Sequence, residues 1–323
     1  MTSPYGVAGL GCMGMSGIYG PADAEESRAT IRAALDAGIT LLDTGDFYGM
    51  GHNELLIASA LTERPRDDYR LSVKFGAQRG PDGSWLGYDA RPQAVKTAVA
   101  YSLVRLGTDH LDVYRPARLD AKVPIEETIG AIAELVQAGY VRAIGLSEVG
   151  AETIRRAAAV HPIADLQIEY SIASRGIEAA ILPTCRELGI AITAYGILSR
   201  GLLSDSFAPG RPAAPGDNRG RFPRFSDENA EHNAALVARL REIAQRRGIS
   251  VAQLAIAWVR SRGDDIVPLI GARRRDQLRE ALAGVELALS DDELAEIERV
   301  APPGAVRGDR YGAPQMADLD SER

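Results

Sequence analysis

The feature that most constrains the fold is an alternation of short, β-branched apolar runs with longer amphipathic segments. Eight runs occur, most of them roughly 25 to 35 residues apart, a spacing that leaves room for a helix between consecutive strands. Since strands that alternate with helices form parallel sheets, and since composition does not change along the chain, the pattern favours a closed (β/α)8 TIM barrel over an open doubly wound sheet. We expect one domain over residues 1–323. The predicted strands are residues 5–10, 39–43, 70–75, 110–117, 141–147, 165–170, 190–195 and 265–270.

The segments between these runs carry helix signals. Asp23, with Glu26 three residues later, is typical of a capped helix start, and that helix is expected to end at Gly38. Pro124 stands at a first-turn position, and Gly139 follows the last apolar repeat of the same segment. Both segments are therefore predicted to be helices that cover the barrel.

Nucleotide-binding motifs of other fold classes are absent. No Gly-x-Gly-x-x-Gly opens a helix after the first strand, since the glycines of residues 11–14 lack that spacing, and there is no Walker loop. A long Gly-, Pro- and Arg-rich segment covers residues 196–229. Segments of this length are often functional lids, and in a barrel this one is expected over the active-site face.

Charge and cysteine content exclude several classes of function. The 323 residues carry 37 Lys and Arg against 44 Asp and Glu, a net charge of −7, so no general basic face for nucleic acid or an anionic membrane is expected. Two cysteines, Cys12 and Cys185, cannot form a disulfide framework. No signal peptide or long apolar span is evident, and no spacing typical of metal ligands occurs. We expect a cytoplasmic protein without a metal.

Three side chains with acid–base chemistry follow predicted strands. Asp43 ends the second strand, Tyr48 lies in the loop behind it, and Lys74 ends the third strand. In a barrel these positions converge at one mouth, where an ammonium would favour the phenolate and a carboxylate would hold the lysine charged. Each residue also has a simpler interpretation: a helix cap for Asp43, an amphipathic loop residue for Tyr48, and a solvated strand end for Lys74.

The arrangement resembles that of the aldo-keto reductases over nearly the whole chain. The resemblance implies a (β/α)8 barrel that reduces an aldehyde or ketone with NAD(P)H, or runs the reverse reaction, with Tyr48 as the proton donor and with Asp43 and Lys74 tuning it. The motifs that carry it are residues 42–49 (LDTGDFYG), 53–54 (NE), 73–74 (VK), 144–147 (IGLS), 167–170 (QIEY), 194–203 (AYGILSRGLL) and 267–271 (VPLIG).

The same resemblance implies a set of cofactor contacts. Ser147 and Gln167 would hold the nicotinamide carboxamide, which suits their donor and acceptor groups, and Tyr195 would stack on the ring. Core packing is the alternative for Tyr195. The resemblance also implies Asp43 as a cofactor contact. The loop contacts implied are Cys12, Met13, Gly196, Leu198 and Arg200.

A local basic cluster follows the last strand. Residues 271–280 read GARRRDQLRE, and arginine forks beside a helix N-terminus suit a phosphate group. We therefore expect NADPH, with NADH possible. The resemblance assigns Arg273 to the phosphate, with Gly271 beside it, and Gln277 and Glu280 to the adenine. Ala281 stands where the family usually has an asparagine, and an exposed charged helix face is the alternative interpretation of the cluster.

The pattern departs from the family at the end of the fourth strand. Family members usually have a histidine where this chain has Ala117, and the four histidines, His52, His110, His161 and His232, lie elsewhere in the sequence. Loss of that donor is expected to cost about 10²- to 10³-fold in turnover unless it is replaced. Three outcomes stay open: a water or a side chain such as Arg115 replaces it, the space admits a bulkier substrate, or the protein binds NADPH as a redox-sensing or regulatory partner with weak catalysis.

A Schiff-base enzyme with Lys74 as the nucleophile is a further alternative. The adjacent Asp43 speaks against it, because a carboxylate raises the pKa of a lysine whereas such lysines need a low one. The sequence predicts a small-molecule carbonyl substrate but neither its identity nor an oligomeric state.

Overall fold

The computed structural model describes residues 5–17, 20–205, 207 and 219–323. Within these residues the strands are β1 (Gly9–Gly11), β2 (Leu41–Gly45), β3 (Arg70–Phe75), β4 (Ala77–Arg79), β5 (Trp85–Tyr88), β6 (Leu111–Pro116), β7 (Val141–Ser147), β8 (Ile163–Glu169), β9 (Ala191–Tyr195) and β10 (Ile266–Gly271). Parallel pairing closes a barrel in the order β1-β2-β3-β6-β7-β8-β9-β10 and back to β1. The (β/α)8 TIM barrel that the sequence predicts is confirmed.

Helices cover the outside of this barrel. In the described part of the chain they are α1 (Ala24–Asp36), α2 (His52–Leu61), α3 (Pro92–Leu106), α4 (Ile125–Gln137), α5 (Ala151–Val160), α6 (Ile181–Leu188), α7 (Asp227–Arg246), α8 (Val251–Ser261), α9 (Arg275–Glu286), α10 (Asp291–Val300) and α11 (Ala313–Ala317). None of these described helices is long and apolar enough to cross a membrane.

The eight predicted strands lie in the predicted order, but the first is displaced. Residues 5–8 are not part of β1, because Gly6 has a φ of +79° that breaks the extended conformation. Tyr5 instead packs inside the barrel with Leu41, Val113 and Val267, which close its lower end.

An antiparallel hairpin, β4 and β5, was not predicted. It follows β3 directly and lies outside the barrel, with Trp85 and Leu86 largely exposed. Its strands are only three and four residues long, which is too short for a clear alternation in the sequence.

The helix signals hold, with two differences. Pro124 is the N-cap residue just before α4 and does not lie in its first turn. Asp23 caps α1 by accepting a hydrogen bond from the Glu26 amide at 2.8 Å, and Gly139 follows α4 with a φ of +85°. The Glu26 carboxylate does not complete a capping box, because it binds the main chain and side chain of Arg275 at the start of α9. α1 is thereby linked to α9.

The long segment 196–229 is described only in part. Residues 206 and 208–218 lie outside the described residues. The remainder forms short turns before α7, and Phe222 contacts Tyr311 at the mouth of the barrel.

Candidate active site

A polar layer fills the barrel above its apolar lower end. Arg115 donates to Asp165 at 3.0 Å and to Ser72 at 2.9 Å, and all three side chains are buried. The guanidinium fits because Gly145 carries no side chain: a Cβ there would lie 3.1 Å from Cζ of Arg115. Burial raises the pKa of Asp165. This layer is the floor of the site above it.

The Asp43–Lys74 ion pair lies at the carboxyl ends of two adjacent strands. Register places Asp43 of β2 opposite Ser72 of β3, and Gly45 opposite Lys74. Asp43 accepts a hydrogen bond from Lys74 Nζ through Oδ1, and through Oδ2 from Ser72 at 2.8 Å and Gln167 at 2.7 Å. A carboxylate with three donors is a fixed anion, and it holds the lysine in one position.

Tyr48 lies directly over this pair. Its amide donates to the Gly45 carbonyl at 3.0 Å in the turn behind β2, and its ring is 6% exposed. Lys74 Nζ is 5.2 Å from the ring centroid, and the Phe47 ring meets that of Tyr48 edge-on at 4.8 Å. The structure therefore brings the three predicted acid–base residues together. We call the following set the catalytic cluster: Asp43, Tyr48, Ser72, Lys74 and Gln167.

The pKa of Lys74 differs from the sequence-based expectation, which was that Asp43 would raise it. Burial lowers the pKa of Lys74 below its ordinary value, Arg115 and Arg118 lower it further, and Asp43 opposes them without reversing the shift. The argument against a Schiff-base lysine therefore rests on position: the ammonium is committed to Asp43.

Ser147 and Tyr195 are the last residues of β7 and β9, and Gln167 lies two residues before the end of β8. Gln167 uses its amide nitrogen on Asp43, and within the described residues its Oε1 accepts no hydrogen bond. Ser147 is buried, with a contact of 3.4 Å from Arg118. The Tyr195 hydroxyl donates to Glu148 at 2.6 Å and lies 2.9 Å from that of Tyr311.

A run of left-handed residues follows β9. Gly196 has a φ of +68°, Ser199 +45°, Arg200 +57° and Gly201 +90°. At Gly196 a side chain is also excluded sterically, since a Cβ would lie 2.9 Å from Cγ of Glu169. Leu198 lies within the same tight turn, which local hydrogen bonds fix: the amides of Ser199 and Gly201 donate to the carbonyls of Gly196 and Leu198 at 2.7 and 2.9 Å.

Arg200 lies between two aromatic rings. Its Cζ is 4.2 Å from the centroid of Phe222 and 4.4 Å from that of Tyr311. Its side chain therefore stacks on these two rings at the mouth of the barrel. The resemblance implies that the same residue contacts the cofactor.

A further buried carboxylate, Glu148, was missed by the sequence analysis and lies beside Ser147. Glu148 has a φ of +54° and binds Arg310 through both oxygens, at 2.7 and 2.5 Å. Ser321 donates to it at 2.6 Å. Arg310, Tyr311 and Ser321 are more than 160 residues from Glu148, so no local pattern could have shown this contact. We call the following set the Glu148 cluster: Glu148, Tyr195, Arg310, Tyr311 and Ser321.

Of the first-loop residues, Cys12 is fully buried, and its Sγ lies 3.7 Å from the Leu10 carbonyl. Burial raises the pKa of its thiol. Its amide donates to the Asp43 carbonyl and its carbonyl accepts from the Asn53 side chain, each at 2.9 Å. Met13 is partly exposed in the turn that follows β1.

The basic cluster after β10 is largely neutralised. Arg274 pairs with Asp276 and Arg275 with Glu26. Arg273 donates to the carbonyls of Gly20 and Pro21, each at 3.2 Å.

The predicted adenine contacts are held in local bonds. Gln277 Oε1 accepts from the Arg273 amide at 3.2 Å, and Glu280 accepts from Ser250 at 2.7 Å. Gly271 is exposed at the end of β10.

Ala117 lies just past the end of β6, 3% exposed, with its amide on the Phe75 carbonyl at 2.8 Å. Arg115, which the sequence offered as a substitute for the missing imidazole, is committed to Asp165 and Ser72 below the site.

Each of the four histidines has a hydrogen-bond partner outside the catalytic cluster. Their partners in the described residues are Ser16 for His52, Asp109 for His110, Pro162 for His161 and Ala305 for His232. The described part of the chain contains no group of three or more His, Cys, Asp or Glu side chains arranged to hold a metal.

The chain is a parallel barrel with a tyrosine over a buried lysine–aspartate pair at the strand ends. This arrangement defines a class of barrel proteins whose side chains can carry out acid–base chemistry. Residues 8–302 match the sequence model of the aldo/keto reductase family. The chain is 39% identical over 306 residues to a probable aldo-keto reductase 1 of Glycine max, covering 94% of this chain and 87% of that protein. This protein belongs to the aldo/keto reductase family.

Solved structures agree with this assignment. A glycerol dehydrogenase of Gluconobacter oxydans has a TM-score of 0.85 at 29% identity, with 94% of each chain covered. An aldo/keto reductase of Klebsiella pneumoniae, solved with NADP and acetate, has a TM-score of 0.73 at 28% identity, with 96% of this chain and 98% of that chain covered.

Proposed function

We propose that this protein reduces an aldehyde or ketone to the alcohol with NADPH, or catalyses the reverse oxidation. The observation that carries the proposal is the position of Tyr48 over the Asp43–Lys74 pair, with Lys74 Nζ 5.2 Å from the ring centroid. A nearby ammonium stabilises the phenolate that remains after the tyrosine has given up its proton. The geometry thus supports Tyr48 as general acid.

Each residue of the catalytic cluster has a separate role in this reaction. Bound NADPH supplies the hydride that reduces the carbonyl carbon. Tyr48 gives its proton to the carbonyl oxygen, and Lys74 balances the charge that this leaves on the ring. Asp43, fixed by Ser72 and Gln167, keeps the lysine in place in both states.

The residues present fit a nicotinamide. A carboxamide needs an acceptor for its NH2 and a donor for its carbonyl oxygen; Gln167 Oε1 offers the first and the Ser147 hydroxyl the second. Tyr195 offers a ring that its bonds to Glu148 and Tyr311 hold in place.

The residues of the outer loops fit the phosphates. The left-handed turn at 196–201 suits a pyrophosphate, and Arg273, whose guanidinium lies against the Gly20 and Pro21 carbonyls, suits a 2′-phosphate. This supports NADPH over NADH. The Klebsiella pneumoniae relative solved with NADP supports the same choice.

Ala117 favours a second candidate function. Without the family's usual histidine the protein would bind NADPH but reduce carbonyls slowly, as a redox-sensing or regulatory protein. The two candidates share NADPH binding and differ in turnover.

The test is the Tyr48→Phe variant. We expect turnover with a panel of aldehydes and ketones, followed at 340 nm, to fall about 10²- to 10⁴-fold because the general acid is lost. The Kd for NADPH, from nicotinamide fluorescence, should hardly change. Tyr101→Phe is the matched control, since that tyrosine is 60% exposed on α3.

Equal turnover by wild type and Tyr48→Phe would refute the reductase mechanism. Tight NADPH binding by the wild type without oxidation of NADPH by any carbonyl would favour the regulatory candidate.

A further inference from the structure

Arg118 differs from the buried arginines around it. Four arginines are classed as buried in the described residues, and each has a carboxylate oxygen within 3.2 Å. These pairs are Arg115 with Asp165, Arg175 with Glu178, Arg224 with Glu169, and Arg310 with Glu148. Arg118 is partly buried at the barrel mouth, and no described carboxylate lies within 4.0 Å of its guanidinium nitrogens.

The hydrogen bonds of Arg118 place its guanidinium beside the main chain of Ala117 and the side chain of Ser147. Nη1 donates to the Ala117 carbonyl at 2.6 Å and lies 3.4 Å from the Ser147 hydroxyl. The side chain thus folds back to the main chain at the end of its own strand, next to the residue where the family usually has a histidine. An arginine has five N–H donors, so these two contacts leave others for a ligand.

The neighbouring strands put this guanidinium beside the catalytic cluster. β6 pairs with β3 on one side, where Arg115 is opposite Lys74, and with β7 on the other, where Ser147 is the last residue. Arg118 is close enough to Lys74 to lower the pKa of that lysine, although burial is the larger cause.

The surroundings keep Arg118 charged. Burial opposes its charge, but Tyr195, Tyr311 and Glu148 outweigh burial and raise its pKa. An ordinary guanidinium already keeps its proton throughout the accessible pH range. Arg118 therefore serves as a permanent donor and cannot act as an acid.

We propose that Arg118 is a catalytic residue that donates a hydrogen bond to the substrate carbonyl oxygen, in the space beside Ala117, and so replaces the missing histidine. This rests on the proposed reductase function. As the carbonyl carbon gains hydride, the π pair of the C=O bond moves to oxygen, which takes the proton of Tyr48. Arg118 keeps all its protons and stabilises the negative charge on oxygen while it develops.

The experiment uses the full chain with NADPH and two aldehydes that the wild type reduces, one neutral and one that carries a carboxylate. The variants are Arg118→Met, Arg118→Lys and the double variant Ala117→His/Arg118→Met. Arg155→Met is the matched control, because Arg155 is exposed on α5 with Glu187 as its partner. Each protein is first checked for wild-type circular dichroism and for its NADPH Kd.

For Arg118→Met we expect kcat to fall about 10²- to 10³-fold while the NADPH Kd stays within about threefold. Arg118→Lys should recover part of the loss, since it keeps the charge without the fork. The double variant should recover about tenfold over Arg118→Met and gain a pH-rate limb near pH 6.5 that the wild type lacks, because an imidazole titrates there.

Two outcomes would overturn the proposal. One is a kcat for Arg118→Met within about threefold of the wild type. The other is a loss confined to aldehydes that carry a carboxylate, which would make Arg118 an anchor for an anionic substituent. If the wild type itself reduced no carbonyl, the proposed function would fail first, so the two failures are distinguishable.

Discussion

Two buried carboxylates at the barrel mouth are held in similar ways but by different parts of the chain. Asp43 in the catalytic cluster has donors from Ser72 and Lys74 on the adjacent strand and from Gln167. Glu148 has donors from Arg310 and Ser321, which lie in the C-terminal segment, and from Tyr195. The donors to Asp43 come from the strands of the barrel. Most of the donors to Glu148 come from the C-terminal segment, which packs onto the barrel.

The difference shows that the acid–base residues and the residues that cover the mouth of the site come from different parts of the chain. The family match ends at residue 302, so Arg310 and Tyr311 come from outside the matched region. Tyr311 bonds Tyr195 and stacks on Arg200, at the positions proposed for the cofactor. We infer that changes in the catalytic cluster affect activity and stability together, whereas changes in the Glu148–Arg310 pair affect chiefly stability.

The largest effect is expected for Asp43→Asn. The substitution leaves Lys74 as a buried charge without its partner, which costs about 3 to 5 kcal/mol of unfolding free energy. Turnover should fall as well, because the lysine is no longer fixed. Urea unfolding measures the first and NADPH oxidation the second.

Asp36→Asn is the control for this prediction. Asp36 is an exposed residue paired with Arg64 at the surface, where such a pair contributes about 0 to 1 kcal/mol. Normal stability of Asp43→Asn would mean that the Asp43–Lys74 pair does not hold the site.

A somewhat smaller effect is expected for Arg310→Met. Glu148 would lose its bidentate partner but keep the hydroxyls of Ser321 and Tyr195, so we expect a loss of about 3 kcal/mol, at the lower end for a broken buried pair. Turnover by the remaining folded protein should change less than in Asp43→Asn. Arg307→Met, an exposed position in the same segment, is the control. A loss of activity as large as that of Asp43→Asn would abolish the distinction between the two clusters.

The third effect is the contribution of Glu148 to the free energy of unfolding, which changes only at acidic pH. Burial opposes ionisation of Glu148, but Arg310 and its other partners lower its pKa to about 2, against 4.5 in an unfolded chain. A depressed pKa contributes stability above the unfolded value, and this contribution is lost as the pH falls from 4.5 towards 2.

The contribution amounts to about 3 kcal/mol when each pKa unit is taken as about 1.4 kcal/mol. Glu148→Gln should be less stable at pH 7 but should lose less than the wild type between pH 4.5 and 2, as followed by urea titrations at each pH. Parallel pH curves for the two proteins would show that Glu148 does not titrate in this range.

The sequence by itself determined the strand order, the closed barrel and the meeting of Asp43, Tyr48 and Lys74 at its mouth. Its local patterns of period 2 and 3.6 specify strands and helices, and a barrel brings consecutive strand ends to one mouth whatever the details of packing. Asp43, Tyr48 and Lys74 could therefore be brought together before any coordinates were known.

Only the tertiary structure decided what surrounds these three residues. The Glu148–Arg310 pair joins residues 162 positions apart, and the commitment of Arg115 below the site, with Arg118 above it, depends on which way each side chain turns at the end of β6. Long-range pairing and side-chain direction follow from the packing of the whole molecule, where burial makes each charge seek a partner, and no local pattern in the sequence records them.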